Sequence, residues 1–159
     1  MFVPHLQVIP VSAVVQFPNA DPFFHNVFSL FEGKRFDLGL YEAGSTKSVT
    51  FSREGVSYIF CNIHPEMSAV VIALTTPLYA VVDASNSFIL RSVPPGDYSL
   101  HVWIEGVQPS LLEQETRRVH ITSGTVDLGQ IVAPVSRNGT MNHTNKFGTP
   151  YTPVPQSIY

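Results

Sequence analysis

The chain has 159 residues and a formal net charge of −3, with 13% charged and 44% hydrophobic residues. This balance excludes intrinsic disorder of the whole chain. The charge is dispersed and offers no basic surface to nucleic acid, and the longest apolar stretch, residues 69–74, is too short to cross a bilayer. We therefore expect neither a nucleic-acid partner nor a membrane span.

The first half of the chain has a β-strand pattern. Its apolar residues alternate or come in short runs, and Pro and Gly stand at turn-like places between the runs. Many short strands separated in this way are typical of a sandwich or barrel. The predicted strands of this first domain, residues 1–76, are 7–17, 25–30, 47–52, 57–61 and 68–74.

A second series of short apolar runs begins after residue 76. The predicted strands are 79–83, 87–90, 97–104, 115–122 and 127–132, which favour a smaller β-sandwich over residues 77–133. From residue 134 the composition changes to Asn, Thr, Pro and Gly. We expect residues 134–159 to be an irregular tail that hangs free or lies extended against a partner surface.

A group of potential metal ligands follows the predicted strand 57–61. Cys61, His64 and Met67 stand at three-residue steps and offer soft or borderline donors. Structural zinc prefers four strong N or S donors, and Cys61 is the only cysteine. A His2Cys set with a weak axial Met is typical of blue-copper electron-transfer sites and needs one more His. His25, where a Pro-rich loop enters a predicted strand, is the natural candidate.

With these residues in place, residues 2–74 resemble a cupredoxin, whose fold is a Greek-key β-sandwich. The Cys-x2-His-x2-Met spacing, with Pro65 after the His, is similar to amicyanin rather than to the longer plastocyanin loop. The resemblance implies that Asn26 braces the ligand loop by hydrogen bonding. It also implies one type 1 copper with four ligands, namely His25, Cys61, His64 and Met67.

The resemblance also implies a docking surface for redox partner proteins. In cupredoxins the loop histidine protrudes through an apolar patch that contacts these partners. In this chain we expect the corresponding patch to consist of Pro22, Phe23, Phe24 and Pro65.

The second series resembles a different family, the carboxypeptidase regulatory-like, transthyretin-like sandwich, through the Pro-Gly-x-Tyr turn within residues 93–103. The two units together resemble bacterial exported proteins of the methylamine-utilization type. Those chains begin earlier, so we expect an incomplete N-terminal edge that the tail or a second copy of the chain covers. The resemblance to exported proteins implies a periplasmic or extracellular location. Because residues 1–5 lack signal-peptide features, we also expect a processed or mis-started chain.

Three functional hypotheses follow. The first is a one-electron carrier, not an enzyme, in which copper cycles between Cu(I) and Cu(II). The second is a copper carrier or sensor without a role in electron transfer. The third is an adhesion or scaffold module with a relic metal site. The ligand types alone leave the choice open, because they determine redox competence but not the choice of partner.

Overall fold

The structure is a computed structural model that describes residues 1–30, 33–132 and 144–151. The chain divides into two compact units, one formed by Met1–Pro77 together with His143–Tyr159 and the other by Leu78–Asn142. We call them unit 1 and unit 2. Nearly all regular secondary structure is β-strand, so the fold class is all-β, as predicted.

Unit 1 contains two β-sheets. Over its described residues the strands are β1 (Leu6–Pro10), β2 (Val14–Pro18), β3 (His25–Ser29), β4 (Phe36–Tyr41), β5 (Thr46–Thr50), β6 (Gly55–Cys61) and β7 (Ser68–Leu74). One sheet has the order β1-β7-β6-β3-β4, and the other pairs β2 with β5. The β1–β7 pair is parallel, and the remaining pairs are antiparallel.

The two sheets of unit 1 share one apolar core. The β2–β5 sheet is half-buried, since Val15, Phe17 and Val49 point inward while their neighbours along the strands are exposed. In the other sheet β3 is buried along its whole length. The remaining buried residues of this core are Ile9, Val27, Tyr41, Phe51, Ile59, Ala69, Val71 and Ala73. Unit 1 is therefore a β-sandwich.

The strand predictions for unit 1 were correct except in two places. The predicted strand 7–17 is in fact β1 and β2, which lie in different sheets. Ser12 separates them with a left-handed φ of 73°, and its N–H donates to the Phe51 carbonyl at 2.8 Å. Strand β4 was missed, because Asp37 and Gly39 interrupt its apolar pattern.

Unit 2 differs more from the prediction. Its described residues, 78–132, contain β8 (Gly96–Leu100) paired antiparallel with β9 (Arg117–Ile121), and helix α1 (Pro109–Gln114) between them. The sequence predicted five strands in a sandwich, and three of them have no regular structure in this range. Val81, Val82 and Ile89, from two of these stretches, are exposed rather than packed in a core.

Residues 144–151, which lie within the predicted tail, hydrogen-bond to the sandwich of unit 1 rather than hang free. Residues 144–151 belong to unit 1, whereas residues 134–143 and 152–159 lie outside the described residues. The N-terminal strand β1 is paired with β7. Within the part of the chain that the structure describes, we find no helix with the length and hydropathy that a membrane-spanning segment needs.

Core packing around β6 gives a first prediction. Ile59 is fully buried two residues before the end of this strand, so Ile59→Ala should lower the free energy of unfolding by about 2 to 5 kcal/mol. Urea unfolding followed by circular dichroism measures the change. Leu40→Ala, at a 62% exposed position of β4, is the control, with an expected change of about 0.5 kcal/mol or less. Equal losses in both variants would contradict the burial of Ile59 in this core.

Candidate metal centre

Three of the four predicted ligands lie together at one end of the sandwich of unit 1, which we call the metal end. His25 begins β3 and Cys61 ends β6. These strands pair antiparallel, with Val27 opposite Cys61, so the start of one lies beside the end of the other. His64 follows in the loop that connects β6 to β7. Strand pairing thus brings together residues that are far apart in sequence.

The donor atoms of these three residues are spaced as ligands of one metal ion. Cys61 Sγ lies 3.6 Å from His25 Nδ1 and 3.4 Å from His64 Nδ1. All three donor atoms lie within 4.8 Å of one another. Metal–ligand bonds of about 2.0 to 2.3 Å at tetrahedral angles separate two donors by about 3.5 Å. The observed spacing fits a single ion bound between them.

Backbone hydrogen bonds close residues 61–67 into a tight loop. The Met67 N–H donates to the His64 carbonyl at 3.0 Å, and the Cys61 N–H donates to the Met67 carbonyl at 3.3 Å. The side chain of Met67 is buried next to this turn. Its backbone is therefore held close to both Cys61 and His64, and its role as the fourth ligand remains a prediction.

Asp21 orients the first histidine. The Nε2–H of His25 donates to Asp21 Oδ2 at 2.9 Å, which leaves the Nδ1 lone pair directed to the side of Cys61. A carboxylate on the far nitrogen of a metal-binding histidine fixes its tautomer and ring orientation. Asp21 was not among the predicted site residues, although it stands four residues before His25 in the loop that leads into β3.

The loop that carries Asp21 is organised by Asn19, which is buried. Asn19 Oδ1 accepts from the Asp21 N–H at 3.1 Å, and Asn19 Nδ2 donates to the carbonyls of Phe23 at 2.8 Å and Tyr41 at 3.3 Å. One side chain thus ties the loop to β4 and sets the position of the carboxylate. A buried Asn that satisfies several backbone groups stabilises a loop that lacks ladder bonds of its own.

Burial favours the neutral forms of His64 and Tyr41 by shifting the pKa of each. Burial lowers the pKa of His64, and the neighbouring His25 lowers it further, while Glu66 and Asp21 act in the opposite direction. A neutral imidazole is the form that binds a metal. Burial, with a contribution from the charge of Cys61, raises the pKa of Tyr41 to about 12.

Asn26 makes one hydrogen bond through its side chain and one through its backbone. Its side chain donates to Asp37 Oδ1 on β4 at 2.6 Å. The bond to the ligand loop comes from its backbone carbonyl, which accepts from the Asn62 N–H at 2.9 Å. A backbone hydrogen bond therefore joins Asn26, which follows His25, to Asn62, which follows Cys61.

The predicted apolar patch is exposed beside the histidines. Phe23 and Phe24 are about half exposed, and the two prolines are exposed as well. The Phe23 ring centroid lies 5.2 Å from that of His64, which is partly exposed. Ile63, which the sequence analysis did not include, is also exposed and belongs to the ligand loop. His25 and Cys61 are therefore buried, and His64 is the member of the cluster that is partly exposed to solvent.

The chemistry of the donor set fits copper. One thiolate and two imidazoles are ligands that copper accepts readily, whereas structural zinc needs a fourth strong N or S donor. Among the described residues, the cluster contains His25, Cys61 and His64 as such donors, with the thioether of Met67 in the same loop. The cluster is consistent with one type 1 copper.

Comparisons with known proteins give partial matches to solved structures. No family model and no curated protein matches the chain. A purple cupredoxin from Nitrosopumilus maritimus is 29% identical, with 45% of this chain and 79% of that chain covered and a TM-score of 0.41. An oxidized mutant of amicyanin is 23% identical at a TM-score of 0.40, and the match covers 45% of this chain and 70% of that one. A Cu-containing nitrite reductase from Thermus scotoductus SA-01 is 24% identical at a TM-score of 0.43, and the match covers 45% of this chain and 20% of that one.

The contact between Asp21 and His25 gives a second prediction. Asp21→Ala removes the acceptor that orients the imidazole, so the affinity for Cu(II) should fall about 10- to 100-fold. Competition with a chelator, followed by visible absorption, measures this affinity. Glu42→Ala removes the same charge from an exposed position and should leave the affinity unchanged. Equal affinities of the two variants would show that Asp21 does not orient the ligand.

Proposed function

We propose that this protein is a type 1 copper protein that carries single electrons between redox partner proteins. The observation that supports this most directly is the position of Cys61 Sγ, 3.4 and 3.6 Å from the Nδ1 atoms of His64 and His25. The buried Met67 in the same loop provides the weak fourth donor of this ligand set.

When bound, copper supplies one-electron chemistry by changing between Cu(I) and Cu(II). The role of the protein is to keep the ligand atoms in one arrangement for both states. Strands β3 and β6 hold His25 and Cys61, the loop bonds hold His64, and Asp21 fixes the orientation of one imidazole. Ligands that are held in this way move little when the charge of the site changes.

The number of protein ligands favours a carrier over an enzyme. Catalytic metal sites keep a coordination position open for water or substrate. With His25, Cys61, His64 and Met67 as ligands, the protein occupies all four positions. Electrons then enter and leave through the ligands themselves, and no substrate has to reach the metal.

The surface around His64 suits brief contact with a redox partner. The exposed residues Phe23, Phe24, Ile63 and Pro65 surround a histidine that is itself partly exposed. A small apolar patch of this kind is typical of interaction surfaces, and contact over it removes water from the path to Cys61. A periplasmic or extracellular location is part of the proposal and is supported by the resemblance of the sequence to exported proteins.

Addition of copper tests the proposed site. Cu(II) added to the purified apoprotein should give an intense Cu–thiolate absorption band and a narrow copper hyperfine splitting in EPR. Cys61→Ser should abolish the band, and His64→Ala should change both spectra, because each removes one of the converging donors. His101→Ala, in unit 2, is the matched control and should leave both spectra unchanged. A colourless product from the unaltered protein would contradict the proposal.

Electron exchange tests the role of the apolar patch. Phe23→Ser and Ile63→Ser should each slow electron self-exchange between oxidised and reduced protein by about tenfold, since each removes an apolar contact at the proposed docking surface. NMR line broadening in mixtures of the two redox states measures the rate. Val14→Ser, exposed at the opposite end of β2 from the loop that carries Phe23, is the control. A stable copper site without reversible reduction would favour a copper carrier or sensor instead.

A further inference from the structure

The C-terminal segment 144–151 returns to the metal end of unit 1 and bonds to the ligand loop. The Tyr151 hydroxyl donates to the Cys61 carbonyl at 3.0 Å. The Lys146 backbone N–H donates to Asn62 Oδ1 at 2.9 Å. The first bond is made to the backbone of the residue that carries the predicted thiolate, and the second to the side chain of the next residue. Both join residues that are more than 80 positions apart in the chain.

A second set of contacts connects the same segment to the first histidine. Lys146 Nζ lies 2.7 Å from Asp37 Oδ2, and the other oxygen of Asp37 accepts from Asn26. The carbonyl of Asn26 in turn accepts from the N–H of Asn62, which closes a ring of bonds back to Lys146. Burial by itself raises the pKa of Asp37, but the bonds from Lys146, the Gly39 N–H and Asn26 bring it below its ordinary value.

This ring joins the residues that directly follow two of the metal ligands. Asn26 follows His25, and Asn62 follows Cys61. An exposed ion pair alone stabilises little, and Asp37 is 42% exposed. The contribution of the Lys146 side chain therefore rests on its link, through Asp37, to the buried Asn26, and its backbone N–H bonds separately to Asn62.

Hydrogen bonds within the segment itself form a turn around Asn145. Asn145 Oδ1 accepts from the N–H groups of Phe147 at 2.9 Å and Thr149 at 3.1 Å, and the Gly148 N–H donates to the Asn145 carbonyl at 2.9 Å. Gly148 has a left-handed φ of 76°, which glycine adopts without strain. This turn fixes the backbone around Lys146, so little conformational freedom is lost when Lys146 bonds to Asn62.

We propose that residues 144–151 form an intramolecular brace on the metal centre, with Tyr151 and Lys146 as positioning residues. The proposal deepens the proposed function and rests on it, because the braced atoms are those of the copper ligand loop. The Cys61 N–H is held by Met67 and its carbonyl by Tyr151, so the peptide groups on both sides of the thiolate are fixed. A fixed loop releases its metal more slowly than a loose one, since release requires the ligands to move apart.

A role in folding alone would give a different result. If the segment only covers the sandwich, its loss lowers the free energy of unfolding and leaves the copper site of the folded protein unchanged. The brace predicts a change at the loop while the protein remains folded. The decisive readouts are therefore the rate of copper release, the EPR spectrum and the hydrogen exchange of the Asn62 amide.

The experiment compares Tyr151→Phe and Lys146→Met with a matched control in the full-length protein. Tyr98→Phe is that control, because Tyr98 donates a bond of the same kind, to the Pro94 carbonyl at 2.9 Å, in unit 2. We expect Tyr151→Phe and Lys146→Met each to accelerate copper release to excess chelator by about three- to tenfold, as for the loss of one hydrogen bond. Both should alter the copper hyperfine splitting and speed exchange of the Asn62 amide in the apoprotein. Tyr98→Phe should change none of these.

The outcomes separate the brace from the proposed function. If the unaltered protein forms a type 1 site and both variants match Tyr98→Phe in every readout, the brace is wrong and the proposed function stands. If the unaltered protein binds no copper, the proposed function fails, and exchange of the Asn62 amide decides the remaining question. Faster exchange in the variants then supports a brace on the loop, and unchanged exchange overturns it.

Discussion

The pairing of β3 with β6 is the interaction on which the metal end of unit 1 depends. Two residue pairs, Val27 with Cys61 and Phe28 with Phe60, set the register of these strands. A shift by one residue would turn Cys61 away from His25, because successive side chains of a strand point to opposite faces. The register is stable because both strands contribute to the buried core: β3 is buried along its whole length, and Ile59 is fully buried on β6.

The polar residues buried at this end are satisfied by partners outside the core. His25 bonds to Asp21, and Asn26 bonds to Asp37, so neither side chain is buried without a hydrogen bond. Two imidazoles and a thiol placed this closely are nevertheless not what packing alone favours, since apolar residues fill a sandwich at lower cost. Their convergence is consistent with a metal site.

Three separate stretches of the chain form the metal end. The loop that contains Asn19 and Asp21 orients one histidine, residues 61–67 carry the thiolate and the second histidine, and residues 144–151 bond to that loop from outside. The chain leaves unit 1 after Pro77 and rejoins it only after the whole of unit 2. The surroundings of the ligands are therefore completed by the last part of the sequence.

The sequence by itself determined the β class, most strands of unit 1 and the choice of ligand types. These features are local: β6 and β7 have short apolar runs, and Cys61, His64 and Met67 lie within one loop of seven residues. Only the tertiary structure decided that Ser12 separates two sheets, that unit 2 has a single two-stranded sheet over its described residues, and that Asp21 bonds to His25 and Tyr151 to Cys61. Asp21 is only four residues from His25, but its contact depends on how Asn19 folds the loop between them and β2. Tyr151 bonds to a residue 90 positions away, and no local pattern distinguishes it from the tyrosines of other loops.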